Sequence, residues 1–290
     1  MNSLLAEIYL LQKFIADHPA LVVLTGAGIS APSGIPTYRD HDGVWRHSTP
    51  ITHQEFLADP VARQRYWARS LRGWPVVRDA RPNAAHLALA RLEHRGIIRW
   101  VITQNVDRLH QRAGSHRVAD LHGRVDRVRC LQCHAVTARE QVQLRLLRDN
   151  PGHGIETAIA RPDGDADIGD ELATTFSTPD CEQCRGTLIP DVVFFGGSVP
   201  RERVSTCLEA VAGADALLVV GSSLQVYSGF RFCRHAVKLG KPVAIINPGT
   251  TRGDSLAQLK LQSNCELLLA ALAESPALAA AGASAGVAGA

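Results

Sequence analysis

An apolar run that ends in a glycine-rich turn sets the strongest limit on how this chain can fold. Leu21 to Leu24 are four consecutive apolar residues, and Thr25-Gly26-Ala27-Gly28-Ile29-Ser30 follow at once. A short apolar run before Gly-x-Gly indicates a buried strand that enters a tight turn, where small residues let the backbone approach a pyrophosphate. Amide groups that open a helix after such a turn would bind the phosphate. The stretch therefore predicts a nucleotide site in an α/β fold.

Apolar runs of strand length alternate with helical patterns along most of the chain. Strands are expected at residues 98–103, 191–195, 216–220 and 243–246, and helices before residue 18 and at 83–94, 201–212 and 229–239. Residues 40–81 predict short helices with a flexible loop at Asp42-Gly43, while residues 266–272 fit either a strand or the start of a helix. Because strands and helices alternate as βαβ units, the fold class is α/β with a mostly parallel, Rossmann-like sheet.

The composition indicates a globular protein with a substantial core and argues against two classes of partner. The chain has 290 residues, 46% of them hydrophobic, and a net charge of +3 with scattered arginines. Nucleic-acid binding needs a concentrated basic face, which this pattern does not predict. No apolar run approaches a membrane span, and the first twenty residues include Glu7 and Asp17, unlike a signal peptide. We therefore expect a cytoplasmic protein that binds neither nucleic acid nor membrane.

Four of the seven cysteines form two Cys-x-x-Cys pairs, which indicate a metal site. Cys130 and Cys133 form the first pair, and Cys181 and Cys184 form the second. Two such pairs match a tetrahedral zinc site in which all four ligands are thiolates. Zinc with four sulfur ligands has no open position for water or substrate, so we expect one structural Zn²⁺.

The cysteine pairs interrupt the alternating pattern, which predicts a divided chain. The larger, discontinuous nucleotide-binding domain is expected at residues 1–39, 84–124 and 189–272. A smaller helical and zinc-binding module would be formed by two insertions, residues 40–83 and 125–188. Residues 273–290 are rich in Ala, Gly and Ser and predict a disordered tail.

Polar residues follow the second predicted strand, at the edge where open α/β sheets bind ligands. Gln104, Asn105 and Asp107 stand there, and His122 follows in Leu121-His122-Gly123. The residues alone are also compatible with a polar turn and with a surface or core histidine.

Two other functions fit parts of this pattern. A dehydrogenase would share Gly-x-Gly, but the third glycine of that fingerprint falls at Ala31, and no acidic residue ends a second strand about twenty residues on. A zinc-ribbon adaptor without enzymatic activity would leave the polar strand ends unexplained.

Six motifs occur in order along the chain. They are Gly26-Ala27-Gly28-Ile29-Ser30, Gly34-Ile35-Pro36, Thr103-Gln104-Asn105-Val106-Asp107, Leu121-His122-Gly123, the two cysteine pairs, and Gly221-Ser222-Ser223. Together they resemble the sirtuins, the NAD-dependent protein-lysine deacylases, from about residue 20 to about residue 270. The run at 65–69, the Pro-Asp-Gly-Asp loop between the cysteine pairs and residues 219–229 are further similar to the class II branch, which includes a mitochondrial sirtuin of animals.

This resemblance implies that NAD is a co-substrate and that the partners are acylated lysine side chains of proteins. The acyl oxygen would attack the ribose carbon that bears nicotinamide, and His122 would then act as general base. Asn105 belongs to the same catalytic set, and the products would be free lysine, nicotinamide and O-acyl-ADP-ribose. The residues that the resemblance assigns to NAD are Gly26, Ala27, Gly28, Ile29, Pro36, Arg39, Gln104, Asn105, Asp107, Gly221, Ser222, Ser223, Asn247, Pro248, Gly249 and Cys265.

Four residues are assigned to the acylated lysine, namely Tyr66, Arg69, Val193 and Val226. Tyr66 and Arg69 resemble the pair with which another sirtuin class binds negatively charged acyl groups. A packed tyrosine beside a surface arginine is the alternative interpretation. The peptide would add as a strand to backbone near Gly196 and Val226.

The chain departs from the usual sirtuin residues at three positions. Thr37 replaces an aspartate, Gly197 replaces an acidic residue, and Ser228 stands where many members have proline. None of these changes removes a group that the chemistry needs, but they bear on rate and substrate preference.

Two alternative functions would use the same NAD site. They are mono-ADP-ribosylation of a protein and a weakly active sensor of NAD or acyl-lysine.

Overall fold

The computed structural model describes residues 3–38, 50–153, 159–160, 164, 166–167 and 175–275. Its helices are α1 (Ser3–Asp17), α2 (His53–Ala58), α3 (Pro60–Asp79), α4 (Ala84–His94), α5 (Leu109–Arg112), α6 (Arg139–Asp149), α7 (Arg201–Ala212), α8 (Tyr227–Lys238) and α9 (Cys265–Ala273). Its strands are β1 (Leu21–Thr25), β2 (Ile98–Thr103), β3 (Val118–Asp120), β4 (Gly123–Cys130), β5 (Val136–Ala138), β6 (Ile159–Ala160), β7 (Ala166–Asp167), β8 (Leu188–Val192), β9 (Ala216–Val220), β10 (Val243–Ile246) and β11 (Leu259–Leu261).

The main sheet has six parallel strands in the spatial order β11-β10-β9-β1-β2-β3. When these six are numbered in chain order, the sequence across the sheet from the β3 edge is 3-2-1-4-5-6, that of a doubly wound nucleotide-binding fold. The central strand β1 pairs with β2 on one side and β9 on the other, and all of its residues are buried. The predicted Rossmann-like parallel sheet is therefore confirmed.

Helices cover both faces of this sheet, which explains why β1 is apolar without alternation. On one face, Val23 belongs to a core cluster with Phe14 of α1, Leu89 of α4 and Leu268 of α9. On the other face, the neighbouring side chains of β1 belong to a cluster that includes residues of α7 and α8. A strand buried on both sides has no position at which a polar side chain could reach water.

A smaller module contains an antiparallel sheet in the order β5-β4-β8, together with α2, α3 and α6. Its core joins Phe56, Trp67, Val142 and the buried cysteines Cys130 and Cys181. The expectation of a zinc-binding and helical module beside the parallel sheet is confirmed. The part expected to hold short helices instead contains α3, a helix of 20 residues.

The strand predicted at 191–195 was placed wrongly. The strand is Leu188–Val192, and it pairs antiparallel with β4 in the small sheet instead of joining the parallel sheet. It directly follows the second cysteine pair, and Leu131 donates its backbone N–H to the carbonyl of Thr187 at 2.9 Å. Because the two cysteine pairs meet, the chain leaves the second pair alongside β4. Residues 189–192, assigned from the sequence to the larger domain, thus pair within the small module.

The remaining elements divide into confirmed and missed ones. The helix predicted at 201–212 has those bounds, and Asn264 caps α9, which settles residues 266–272 as helical. The sequence interpretation missed β3 and β11, which have three residues each. The Asp42-Gly43 loop and residues 276–290 of the predicted tail lie outside the described residues. None of the helices among the described residues has the length and apolar character that a membrane crossing requires.

Candidate active site

A cavity of about 840 Å³ opens at the carboxyl ends of β1 and β9, where the strand order reverses. This is the position at which open α/β sheets bind their ligands, and the volume suits a cofactor-sized molecule. The cavity is lined by residues of the turn after β1, of the carboxyl ends of β2 and β9, and of the small module. From the predicted NAD set, the lining includes Gly26, Ala27, Gly28, Gln104, Asn105, Asp107, Gly221, Ser222, Ser223, Asn247, Pro248 and Cys265.

The glycine turn after β1 packs tightly against the loop after β9. Gly28 donates its backbone N–H to the carbonyl of Gly221 at 2.8 Å, and a Cβ on Gly28 would lie 2.8 Å from that same oxygen. A Cβ on Gly26 would lie 2.8 Å from the Cβ of Ser222. The glycines are therefore required for the contact between two loops, a role that the sequence interpretation did not include.

No α-helix follows this turn directly, which corrects the expectation of helix-opening amides. Two short 3₁₀ turns occupy Ala27–Ile29 and Ala31–Ser33, and Gly34 closes the second with a left-handed φ of 87°. Anion binding at this position would therefore use the amides of a tight turn, not those of a helix N-terminus.

Ser30 joins Asn105 and Asp107 into one hydrogen-bonded group. Asn105 donates its side-chain amide to Ser30 Oγ at 2.9 Å and to the carbonyl of Gly26 at 3.1 Å. Ser30 in turn donates its hydroxyl to Asp107 at 2.7 Å, and Leu109 donates its backbone N–H to the same carboxylate at 2.9 Å. Burial raises the pKa of Asp107, and the bonds from Leu109 and Ser30 oppose that rise. These hydrogen bonds fix the arrangement of the three side chains.

Gln104 links the ends of β2, β1 and β9. Its side-chain amide donates to Ser222 Oγ at 2.8 Å and to the carbonyl of Thr25 at 3.2 Å. Ser222 also accepts the backbone N–H of Leu224 at 3.2 Å. The polar strand ends that the sequence placed near one another are thus brought together by direct hydrogen bonds.

His122 lies on the cavity wall with both ring nitrogens engaged. Nδ1 is 3.0 Å from the backbone carbonyl oxygen of Gln104, and Nε2 is 2.7 Å from Ser228 Oγ. A carbonyl oxygen only accepts, so Nδ1 carries the proton and Nε2 is the acceptor. The pKa of His122 is lowered to about 4, chiefly by burial; the bond to Gln104 opposes this shift, and the charges of Arg203 and Arg231 contribute to it. The imidazole is therefore neutral at physiological pH, and Nε2 is unprotonated and able to accept a proton.

Other predicted cofactor residues lie near the cavity without lining it. Ile29, Pro36 and Gly249 are not among the lining residues, and Ile29 is fully buried in the core beneath the turn. Gly249 accepts the side-chain amide of Asn247 at 2.9 Å, so it positions a residue that does line the cavity. Arg39 lies outside the described residues.

The predicted acyl residues are brought together in part. Tyr66, Val193 and Val226 line the cavity, whereas Arg69 does not. The ring of Tyr66 packs against Phe56 at 5.3 Å and Phe194 at 5.2 Å between ring centroids. This end of the cavity is therefore largely aromatic and apolar. The acyl roles stay predictions.

The four predicted metal ligands meet at one point of the small module. The sulfur atoms of Cys130, Cys133, Cys181 and Cys184 all lie within 4.8 Å of one another. Cys130 and Cys184 are 3.5 Å apart, and Cys133 and Cys181 are 3.6 Å apart. A tetrahedral site with Zn–S bonds of about 2.3 Å separates its sulfur atoms by about 3.8 Å. The cluster therefore fits one structural Zn²⁺ with no open coordination position.

Three cavity residues were missed as functional ones, namely Ser30, Ser228 and Arg231. Ser30 is the polar side chain at the end of the glycine turn, which is a signal that the sequence contains. Ser228 was noted from the sequence as a departure at the start of a predicted helix. Its partner is His122, 106 residues earlier, and no spacing rule relates the two.

Comparison with known proteins gives one consistent result. A sequence model of the Sir2 family matches residues 26–228 of the chain. The NAD-dependent protein deacetylase of Xanthomonas campestris pv. campestris (strain 8004) is 53% identical over 266 residues, which are 92% of this chain and 91% of that protein. A solved structure of Sir2 with a deacetylated p53 peptide and 3′-O-acetyl ADP-ribose has a TM-score of 0.75 and 31% identity, covering 92% of this chain and 96% of that one. Another, of Sir2 with a p53 peptide and NAD+, has a TM-score of 0.73 and 30% identity, covering 90% and 95%.

Proposed function

The chain belongs to the Sir2 family, the sirtuins, and from this premise we propose how its own residues carry out NAD-dependent protein-lysine deacylation. The enzyme transfers the acyl group of a lysine to ADP-ribose and releases nicotinamide and O-acyl-ADP-ribose. The observation that supports a base-catalysed step is the neutral, partly buried imidazole of His122 on the wall of a dinucleotide-sized cavity. Assignment to the class II branch stays a prediction.

NAD would lie along the carboxyl ends of β1, β9 and β10. The turn at Gly26–Gly28 and the hydroxyls of Ser222 and Ser223 are placed to bind the phosphates and the ribose. Asn247 and Cys265 line the cavity toward β10 and α9, where the adenosine half would bind. The bound NAD supplies a ribose carbon that an acyl oxygen can attack.

The nicotinamide end would be held by the group that Ser30 organises. Asn105 and Asp107 are fixed by hydrogen bonds before NAD binds, so little reorganisation is needed when the nicotinamide leaves. His122 accepts the proton of a ribose hydroxyl at Nε2, and the carbonyl of Gln104 holds the proton on Nδ1. The ribose oxygen can then attack the carbon that came from the acyl group.

The acylated lysine would enter between Val193 and Val226, with its acyl group toward Tyr66. We propose an apolar acyl group such as acetyl or a longer chain, because Tyr66 and Phe194 line the cavity with their rings packed against each other. A carboxylate-bearing acyl group would need Arg69, which does not line the cavity. Protein substrates in the cytoplasm, with no nucleic acid or membrane partner, remain part of this proposal.

The decisive experiment measures nicotinamide release from NAD with acetyl, longer acyl and acidic acyl peptides. We expect release that depends on an acylated peptide, with apolar acyl groups preferred. His122→Ala should lower product formation about 100-fold or more, because general base catalysis contributes roughly that much. His94→Ala changes an exposed histidine on α4 and is the matched control. Formation of O-acyl-ADP-ribose that is equally fast without His122 would contradict the proposal.

A further inference from the structure

The hydroxyl of Ser228 contacts His122 at the wall of the cavity, which both residues line. Ser228 is the second residue of α8, it is partly buried, and it lines the cavity. Its Oγ is 2.7 Å from Nε2 of His122, the atom that must accept the ribose proton. In this structure the lone pair of the base is therefore already occupied by a hydroxyl of the protein.

The direction of this hydrogen bond follows from the other side of the ring. Nδ1 faces the carbonyl oxygen of Gln104 and must donate, so Nε2 accepts and Ser228 donates its O–H. A hydroxyl that donates its one proton keeps two acceptor lone pairs. Within the described part of the chain, no other hydrogen bond involves the Ser228 hydroxyl. Its oxygen can therefore accept from a ligand in the cavity.

A purely structural role does not account for this placement. A serine near the start of a helix often bonds to the helix backbone, but the cap of α8 is Val226 and has no side-chain hydrogen bond. Instead, the hydroxyl of Ser228 points across to His122. A proline at this position, as in many relatives that the sequence resembles, would have no hydroxyl and would leave Nε2 facing the cavity directly.

We propose that Ser228 is a proton relay between the ribose hydroxyl of NAD and His122, an inference that rests on the deacylase function above. The ribose oxygen forms its bond to the acyl-derived carbon with the electron pair of its own breaking O–H bond, while the π bond between that carbon and the lysine nitrogen opens and its electron pair returns to the nitrogen. That proton is received by Ser228 Oγ, while the Ser228 proton is transferred to Nε2 of His122. Charge and protons balance, because one proton leaves the ribose, one reaches the imidazole, and serine ends unchanged.

The relay predicts a separation of two measurable steps. Nicotinamide leaves before any proton is removed from the ribose, so exchange of labelled nicotinamide into NAD does not need the relay. Ser228→Ala should therefore retain exchange while deacylation kcat falls about 10- to 100-fold, which reaches the low end of the roughly 100- to 10,000-fold range of general acid–base effects. Ser228→Thr keeps a hydroxyl, so its kcat should be at least the geometric mean of the kcat values of wild type and Ser228→Ala. Ser255→Ala, at an exposed position, is the matched control.

A solvent isotope measurement distinguishes a relay from mere positioning. Two protons move together in the relay, so the deacylation rate of the wild-type enzyme should curve downward as the D₂O fraction rises. The Ser228→Ala variant should give a straight line with a smaller total effect. A deacylation rate within about twofold of wild type in Ser228→Ala, or a straight line in wild type, would overturn the relay.

Failure of the relay and failure of the proposed function give different results. If exchange and deacylation fall together in Ser228→Ala while NAD still binds, Ser228 shapes the site and the relay is wrong. If exchange is absent from the wild-type enzyme with every acyl peptide, the deacylase function itself is wrong. Circular dichroism and NAD titration of each variant confirm that a lost rate does not reflect a lost fold.

Discussion

At the scale of single residues, Ser30 shows how one hydroxyl can fix two side chains of the reaction site. It accepts from Asn105 and donates to Asp107, and it is fully buried. Asp107 is buried, so its carboxylate has little access to water when the hydroxyl is absent. A buried polar group that loses its partner costs about 1–3 kcal/mol, so the arrangement of these side chains depends on Ser30.

We predict that Ser30→Ala raises KM for NAD and lowers kcat, together by about tenfold or more in kcat/KM. The physical reason is that Asn105 loses an acceptor and Asp107 a donor, so both side chains gain freedom in the apo enzyme. Steady-state kinetics with an acetylated peptide measure the effect. Ser205→Ala removes an exposed hydroxyl that donates to the backbone carbonyl of Glu202 in α7 and should leave the kinetics unchanged. Equal kinetics of the two variants would contradict this role.

At the scale of elements, the turn after β1 and the loop after β9 form one unit. We predict that Gly28→Ala lowers the free energy of unfolding by about 2 kcal/mol or more, because its Cβ would lie 2.8 Å from the backbone oxygen of Gly221 and neither loop can shift freely. Gly213→Ala is the matched control, since its nearest contact would be an ordinary 3.5 Å and its φ of −84° suits alanine. Urea denaturation of both variants measures the difference, and equal midpoints would be the contrary result.

The elements also show what the sequence could predict and what it could not. β1, β9 and β10 were predicted because strands buried on both faces are continuous apolar runs. The three-residue strands β3 and β11 are too short for a periodic signal, and β8 was assigned to the wrong sheet because its partner is set by the meeting of the two cysteine pairs. The local sequence pattern does not specify how strands that are far apart in the chain pair with each other.

The same limit applies to the site. Gln104, Asn105 and Asp107 follow one strand and were predicted together, because the carboxyl ends of parallel strands meet at one edge. The hydrogen bond between His122 and Ser228 connects the residue just before β4 with the start of α8. The two residues are far apart in the sequence, and only folding brings them together. Ser228 was identified from the sequence as a departure from the usual sirtuin residue, but the sequence did not predict that its partner is His122.

At the scale of the whole molecule, the zinc site stabilises the module that closes one side of the cavity. We predict that Cys184→Ser reduces zinc below one ion per chain and lowers Tm by several degrees, since loss of a structural metal removes folding free energy. Cys184 is exposed, so the substitution disturbs little packing. Cys207→Ala should keep its zinc. Metal analysis and thermal scans test this, and a fully stable zinc-free variant would contradict it.

Stability of the whole molecule should also depend on pH through histidines that are buried in the neutral form. Burial lowers the pKa of His86 to about 4, and burial also lowers the pKa of His110, whose ring lies 4.9 Å from that of His86. Below pH 6.5 these two histidines bind protons in the unfolded chain, whereas in the folded chain their lowered pKa values keep them neutral. The free energy of unfolding should therefore fall as pH drops from 6.5 toward 4, by about 1.4 kcal/mol per pH unit for each such histidine.

His86→Gln isolates this effect, because the variant keeps the same cysteines, the buried Asp107 and the partly buried Asp120. The raised pKa values of these two carboxyl groups act in the opposite direction. We predict that its free energy of unfolding falls less steeply than that of wild type between pH 6.5 and 4.5, by about 1 kcal/mol per pH unit. Urea denaturation at several pH values measures both slopes. His116→Gln, at an exposed position, should follow wild type. Parallel curves for wild type and His86→Gln would mean that His86 is already free to protonate in the folded protein.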